Sequence, residues 1–207
     1  MFPLATIYDL KPRFQALLRP LNSRLVGLGV TANMVTLVAL LCSVLLGLAL
    51  AFNPQSRLLL LLMPLWLFLR MALNAIDGML AREHDMQSRL GALLNEMGDV
   101  VSDAALYLPL ALIPGLPGRV VVLIVLLSVM VEMAGVVSVQ IGGSRRYDGP
   151  FGKSDRAFAF GLICLLLGLG LEAGAWSNWL LWAMALACLV TLVNRSRQAL
   201  KETADDR

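Results

Sequence analysis

The sequence predicts an all-α membrane protein: six transmembrane helices plus an N-terminal amphipathic interfacial helix. Three observations point there. Of its 207 residues, 58% are hydrophobic, with a mean hydropathy of +0.77, too apolar for a soluble domain. Six apolar segments recur, each long enough or nearly so to cross a hydrocarbon core of about 30 Å. The basic residues are segregated by loop rather than spread along the chain.

Residues 1–30 form the first element. Lys11, Arg13, Arg19 and Arg24 interleave with Leu10, Phe14, Leu17, Leu18, Leu21 and Leu25 at helical spacing. That pattern predicts a helix lying in the interface with a basic face. Pro12 and Pro20 are expected to break or bend it. The spans are expected near 33–52, 57–82, 89–113, 118–142, 156–174 and 176–197, within a domain of 31–201. Residues 202–207 read as a frayed polar tail. Thr31 is a reasonable N-cap for the first span.

Basic residues cluster before the first span, in the 82–89 hinge, in the 143–156 loop and after the sixth span. The opposite loops hold only Arg57 and Arg119. By the positive-inside rule, both termini are expected in the cytoplasm. The net charge of +3 is modest, and no nucleic-acid partner is expected. Cys42, Cys164 and Cys188 sit in apolar runs, which argues against a disulfide framework.

The polar stretch from Asn74 to Asp103 stands apart from the apolar runs around it. Asn74, Asp77, Gly78, Ala81 and Arg82 fall on one helix face. Gly91, Asn95, Asp99 and Asp103 form one stripe of a second helix, and Glu83 to Arg89 make a polar hinge. Two helices folded back on this hinge would point both polar faces at each other and form a four-position cage of oxygen ligands. Carboxylates inside hydrocarbon are functional candidates by default. Their hard oxygens suit magnesium, manganese or calcium. The plain structural alternative is a polar seam that glues two helices.

The spacing Asn74-x2-Asp77-Gly78-x2-Ala81-Arg82-x8-Gly91-x3-Asn95-x3-Asp99 resembles the motif of the CDP-alcohol phosphotransferases, D-x2-D-G-x2-A-R-x8-G-x3-D-x3-D. All eight positions are in register and six are identical. The resemblance implies a membrane enzyme that moves a phosphatidyl group from CDP-diacylglycerol to an alcohol acceptor and releases CMP. It also implies Mg2+ or Mn2+, one or two ions, and a homodimer in a bacterial inner membrane. Carried over, the metal positions are Asn74, Asp77, Asn95 and Asp99, with Asp99 as the catalytic base. The nucleotide positions are Gly78, Ala81, Arg82, Ser88 and Gly91. Thr31, Ala32, Asn33 and Met34 join them, resembling the family's Thr-Pro-Asn turn.

The departures are Asn74 and Asn95, which remove two charges from the cage. One metal in place of two, a charge lent by Asp103 or Glu96, or a silent CDP-lipid binder are the outcomes left open. A transporter using Asp77, Asp99 and Glu132 as an ion relay is a third reading, which gives Gly78 and Arg82 no role. The loop with Arg145, Arg146, Lys153 and Arg156 is similar to the basic loop of members that use phosphorylated acceptors. With Arg195 it is the candidate acceptor or headgroup site, against ordinary positive-inside charge. Mid-membrane Glu132 and Arg70 are candidates to pair with each other or line the cavity.

Overall fold

Seven helices follow one another: α1 (Ile7–Gly27), α2 (Ala32–Phe52), α3 (Arg57–Glu83), α4 (Arg89–Tyr107), α5 (Gly118–Gln140), α6 (Lys153–Gly168) and α7 (Ala175–Asp205). A short 3-10 turn, Leu108–Leu112, extends α4. The computed structural model describes the backbone of residues 7–205 and the side chains of residues 14–204. The expected interfacial segment therefore lies partly outside the described residues, including the side chains of Lys11 and Arg13.

α1 runs unbroken through Pro12 and Pro20, so the expected break does not occur. Leu18 and Leu25, seven residues apart, pack against the cluster of Ala32, Val35, Ile76 and Leu80 from α2 and α3. Leu17 and Leu21 stay exposed on another face. The helix stops at Gly29, whose φ of +75° suits a residue without Cβ. Val30 and Gly29 donate back to the carbonyls of Leu25 and Val26, closing a Schellman turn. Thr31 then caps α2, its Oγ1 accepting the N–H of Met34 at 3.3 Å.

α2, α3, α5 and α7 are long and apolar enough to cross a membrane. The other two expected spans fall short of that standard. α4 carries Glu96, Asp99 and Asp103 within 19 residues. α6 has 16 residues, about 24 Å of helix. It ends before the expected boundary because Gly170, at φ +97°, turns the chain back. α7 continues to Asp205, so the expected polar tail is helical over most of its length. Glu202 in that extension accepts from the Ser144 N–H and from Arg146.

The described chain divides into two units. One holds the residues up to Cys42 together with Phe68–Asp99. The other holds Ser43–Leu67 and the residues from Val100 onward. α2, α3 and α4 each give residues to both. In the first unit, α3 and α4 are joined by the expected hinge, where Asp85 takes φ +52° and the Met86 N–H reaches back to the Ala81 carbonyl.

In the second unit, α5 and α7 pack along each other, with Val121, Ile124, Leu181 and Cys188 fully buried. Tyr107 stacks on Phe160 with ring centroids 4.2 Å apart. The α6 glycines approach α3 closely: a Cβ at Gly161 would lie 3.5 Å from Pro64, and one at Gly168 2.8 Å from Leu61. Trp66 donates its ring N–H to Ser43 at 3.0 Å, tying α3 to α2. Gly47 of α2 lies against the backbone of Ala105 in α4, where an added Cβ would sit 2.7 Å from the carbonyl carbon.

Backbone yields less readily than side chains, so bulk at Gly47 must displace a helix. We expect Gly47→Val to cost about 1–3 kcal/mol of stability. Gly98→Ala, whose new methyl would meet the Thr36 methyl at an ordinary 3.7 Å, should melt near wild type. Thermal unfolding of both variants in detergent checks the contrast.

Candidate functional site

Within the first unit, α3 carries Arg70, Asn74, Asp77 and Gly78 at i, i+4, i+7 and i+8, a single face. α4 carries Asp99. The Asn74 amide donates to Asp99 Oδ1 at 3.1 Å, joining the two halves of the polar stretch across the hinge. Arg70 donates to the same oxygen at 3.3 Å and to the Asp99 backbone carbonyl at 3.0 Å. The Arg70 side chain is 3% exposed and that of Asp99 23%. Arg70 thus meets Asp99, while Glu132 meets other arginines, so the two mid-membrane charges have different partners.

Asp77 is 5% exposed. The Thr36 hydroxyl of α2 donates to its Oδ2 at 2.8 Å. Nothing in the sequence marks Thr36, a hydroxyl inside an apolar run. Asn95, the fourth cage position, is exposed. Of the four, Asn74 and Asp99 are joined directly by that hydrogen bond.

The expected nucleotide positions separate into those near the cage and those in the packing. Arg82 folds back over Gly78, where a Cβ would lie 3.0 Å from a guanidinium nitrogen. A missing side chain makes room for the arginine. Ser88 Oγ accepts the Gly91 N–H at 2.9 Å, capping α4. A Cβ at Gly91 would lie 2.7 Å from Asn33 Oδ1. Asn33, Ser88 and Gly91 are therefore neighbours. Ala32 and Ala81 belong to the apolar cluster, and Met34 is exposed.

As a metal site, the donor set is limited. Among the described residues, no three His, Cys, Asp or Glu side chains are grouped to hold a metal. Asp77 and Asp99 supply two carboxylates, and Asn74 and Asn95 supply amides. Their oxygens are hard donors, right for magnesium or manganese. By donor type these residues suit a divalent cation.

The second unit holds a separate buried cluster. Glu132 of α5 receives Arg156 at 2.7 Å, Arg145 at 3.2 Å and Arg195 at 3.3 Å. Arg156 also lies 3.7 Å from Asp103. Arg156 and Arg195 are at most 2% exposed. Charges so buried require partners. Arg195 also donates to the Val131 carbonyl at 2.8 Å and the Asp148 carbonyl at 3.2 Å. Gly135, one turn from Glu132, leaves the space that the Arg145 guanidinium fills.

Three of the expected acceptor residues, Arg145, Arg156 and Arg195, thus come together. Arg146 turns away to Asp148 at 2.7 Å and Glu202 at 3.1 Å. Its hydrogen bond to Asp148 raises its pKa above the usual arginine value. Lys153 opens α6. Sequence reading missed that Glu132 and Asp103 belong with these arginines. Their intramembrane charge signalled a partner without naming it.

The chain's relatives accord with this arrangement. A family model described as CDP-alcohol phosphatidyltransferase matches residues 29–193. The chain is 48% identical over 201 residues to the "Inner membrane protein YnbA" of Escherichia coli (strain K12), covering 97% of this chain and 99% of that protein. Its fold is similar to two crystal structures of the Mycobacterium tuberculosis phosphatidylinositol phosphate synthase. With CDP-DAG bound, that enzyme aligns at a TM-score of 0.72 and 19% identity, over 89% of this chain and 92% of that one. In complex with manganese and citrate it aligns at 0.66 and 21% identity, over 89% and 88%. At those identities the likeness is one of fold. The match over most of the chain, with the motif residues gathered on α3 and α4, makes it a member of the CDP-alcohol phosphatidyltransferase family.

Proposed function

We propose that this protein is a metal-dependent phosphotransferase that moves a phosphatidyl group from CDP-diacylglycerol to an alcohol, releasing CMP. The observation that carries the reading is the hydrogen bond from Asn74 to Asp99, which unites the two halves of the motif in one unit. The relatives support it: the family model names the transfer, and the mycobacterial synthase was crystallised with CDP-DAG and with manganese. The residues of this chain act as follows. Arg82, exposed and folded over Gly78, offers a fork of donors to the diphosphate. Asp77, oriented by Thr36, and Asp99 would hold a divalent cation, with Asn74 and Asn95 as amide ligands.

When bound, that cation supplies positive charge against the pyrophosphate as its bridging bond breaks. Asp99 takes the proton of the acceptor hydroxyl. The freed oxygen bonds to the phosphorus that carries the diacylglycerol. That phosphorus releases its bridging oxygen, and CMP departs with the electron pair. The proton on Asp99 returns to water. The gathering of Arg145, Arg156 and Arg195 around Glu132 supports an anionic acceptor or headgroup there.

The membrane arrangement is part of the same proposal. α4 and α6 serve as shorter crossings beside the four apolar spans, with α1 in the interface and both termini cytoplasmic. The basic loops support that orientation. The Escherichia coli relative's name supports an inner membrane. A homodimer rests on the family resemblance alone.

The primary test is CMP release from CDP-diacylglycerol in liposomes, with Mg2+ or Mn2+ and a panel of polyols and phosphopolyols. At least one acceptor should give turnover. Folded protein that turns over none of them, yet still binds CDP-diacylglycerol, would be the silent relative. Asp99→Asn should lower kcat by about 100-fold or more, the usual worth of a positioned base. Arg82→Ala should act mainly on KM for the CDP-lipid. Glu132→Ala strips the arginines of their shared anion, and we expect about 3–5 kcal/mol of lost stability, read as a lower melting temperature in detergent.

A further inference from the structure

The last turns of α7 make a contact for which the transfer itself has no use. Thr191, Arg195, Ala199 and Glu202 fall at i, i+4, i+8 and i+11, one face of α7. That face holds the loop between α5 and α6 at several points. The Phe151 N–H donates to Thr191 Oγ1 at 3.0 Å, and Arg195 donates to the Asp148 carbonyl at 3.2 Å. Glu202 Oε2 accepts the Ser144 N–H at 3.0 Å and Arg146 Nη1 at 3.1 Å.

An isolated ion pair at a surface contributes little. This one belongs to a network, because Arg146 also donates to both Asp148 oxygens, at 2.7 and 2.9 Å. Gly143 leaves room for the carboxylate: a Cβ there would lie 2.9 Å from Glu202 Oε2. Glu202 sits in the last turn of α7, where the helix macrodipole opposes an acid. The loop contacts offset that opposition.

Between the two residues that Glu202 holds lies Arg145. Its guanidinium fills the space at Gly135, donating to Glu132 at 3.2 Å and to the Arg146 carbonyl at 3.0 Å. Its side chain is 18% exposed, against 0% for Arg156 and 2% for Arg195, so of these three arginines it is the one an incoming anion meets. Arg156 and Arg195 are carried by α6 and α7. Arg145 stands on the irregular stretch 144–148 and takes its position from what holds its neighbours.

We propose that Glu202 is a positioning residue for the acceptor: by holding Ser144 and Arg146, the end of α7 fixes Arg145 where it receives an anionic group of the alcohol substrate. This rests on the Glu132 cluster being the anionic-acceptor site of the transferase reading. The sign of the effect separates a clamp from simple electrostatics. Through its charge alone Glu202 repels an anion, and its loss tightens anion binding. As a clamp, its loss weakens anion binding.

The test uses inorganic phosphate on the full-length protein in detergent, with Kd read by calorimetry and loop opening by amide hydrogen exchange. Wild type should bind phosphate, and Arg145→Gln should weaken that binding. Glu202→Ala should weaken it by about three- to tenfold, the worth of one long side chain held in place. The amides of 144–148 should exchange faster in the same variant. Leu200→Ala, exposed on another face of α7, should match wild type in both readouts. In the CMP-release assay, Glu202→Ala should raise KM for a phosphorylated alcohol and leave kcat and KM for CDP-diacylglycerol unchanged. An equal or tighter phosphate Kd in Glu202→Ala that still melts cooperatively overturns the proposal and leaves the transferase reading intact. Wild type that binds no phosphate also overturns it, and CMP release with uncharged polyols then shows separately whether the transferase reading stands. If Glu202→Ala does not fold, Glu202→Gln, which keeps the shape and removes the charge, decides by the same sign.

Discussion

An ionised group inside an apolar helix must find its opposite, and this single constraint orders the chain. Desolvation of an ion is unfavourable by several kcal/mol, more than most packing contacts return. The structure answers it twice. In the first unit, Arg70 and Asn74 of α3 close on Asp99 of α4. In the second, Glu132 of α5 collects arginines from the loop, α6 and α7. The apolar surfaces allow many helix arrangements. The charges allow few, and so they decide which helices are neighbours.

The same constraint explains where the small residues fall. Gly78 yields space to Arg82, and Gly135 yields space to Arg145. In each case a helix gives up a side chain so that a guanidinium can lie against it. Gly161 and Gly168 serve a different purpose, bringing α6 close to α3 without any charge between them. A glycine in these helices is therefore a place where something else is close.

Much of this could be read from the residues. Apolar runs located the four helices long and apolar enough to cross a membrane, and the polar break between Glu83 and Arg89 located the hinge to within a residue. The motif spacing put Asn74 on the face of α3 that meets Asp99, because positions three, four and eight residues apart share a helix face whatever the tertiary fold. What stayed hidden was long-range. Glu132 and Arg70 were conspicuous as charges, but charge alone does not say which of several opposite charges lies nearby. Thr36 is one hydroxyl in a run of aliphatic residues, and only the fold turns it toward Asp77. The α6 end was misplaced because Leu169 to Gly174 is apolar in composition. There the chain turns at Gly170, and a backbone angle outweighs composition.

One consequence concerns how the protein is made. α3 carries Arg70, Asn74 and Asp77, but their counterpart Asp99 is 22 residues beyond Asp77 in the sequence. A ribosome delivers the arginine to the translocon before it has synthesised the carboxylate. For that interval the nascent helix holds a guanidinium with no anion from α4. The pair that joins the two helices in the finished molecule can therefore close only after α4 has been made.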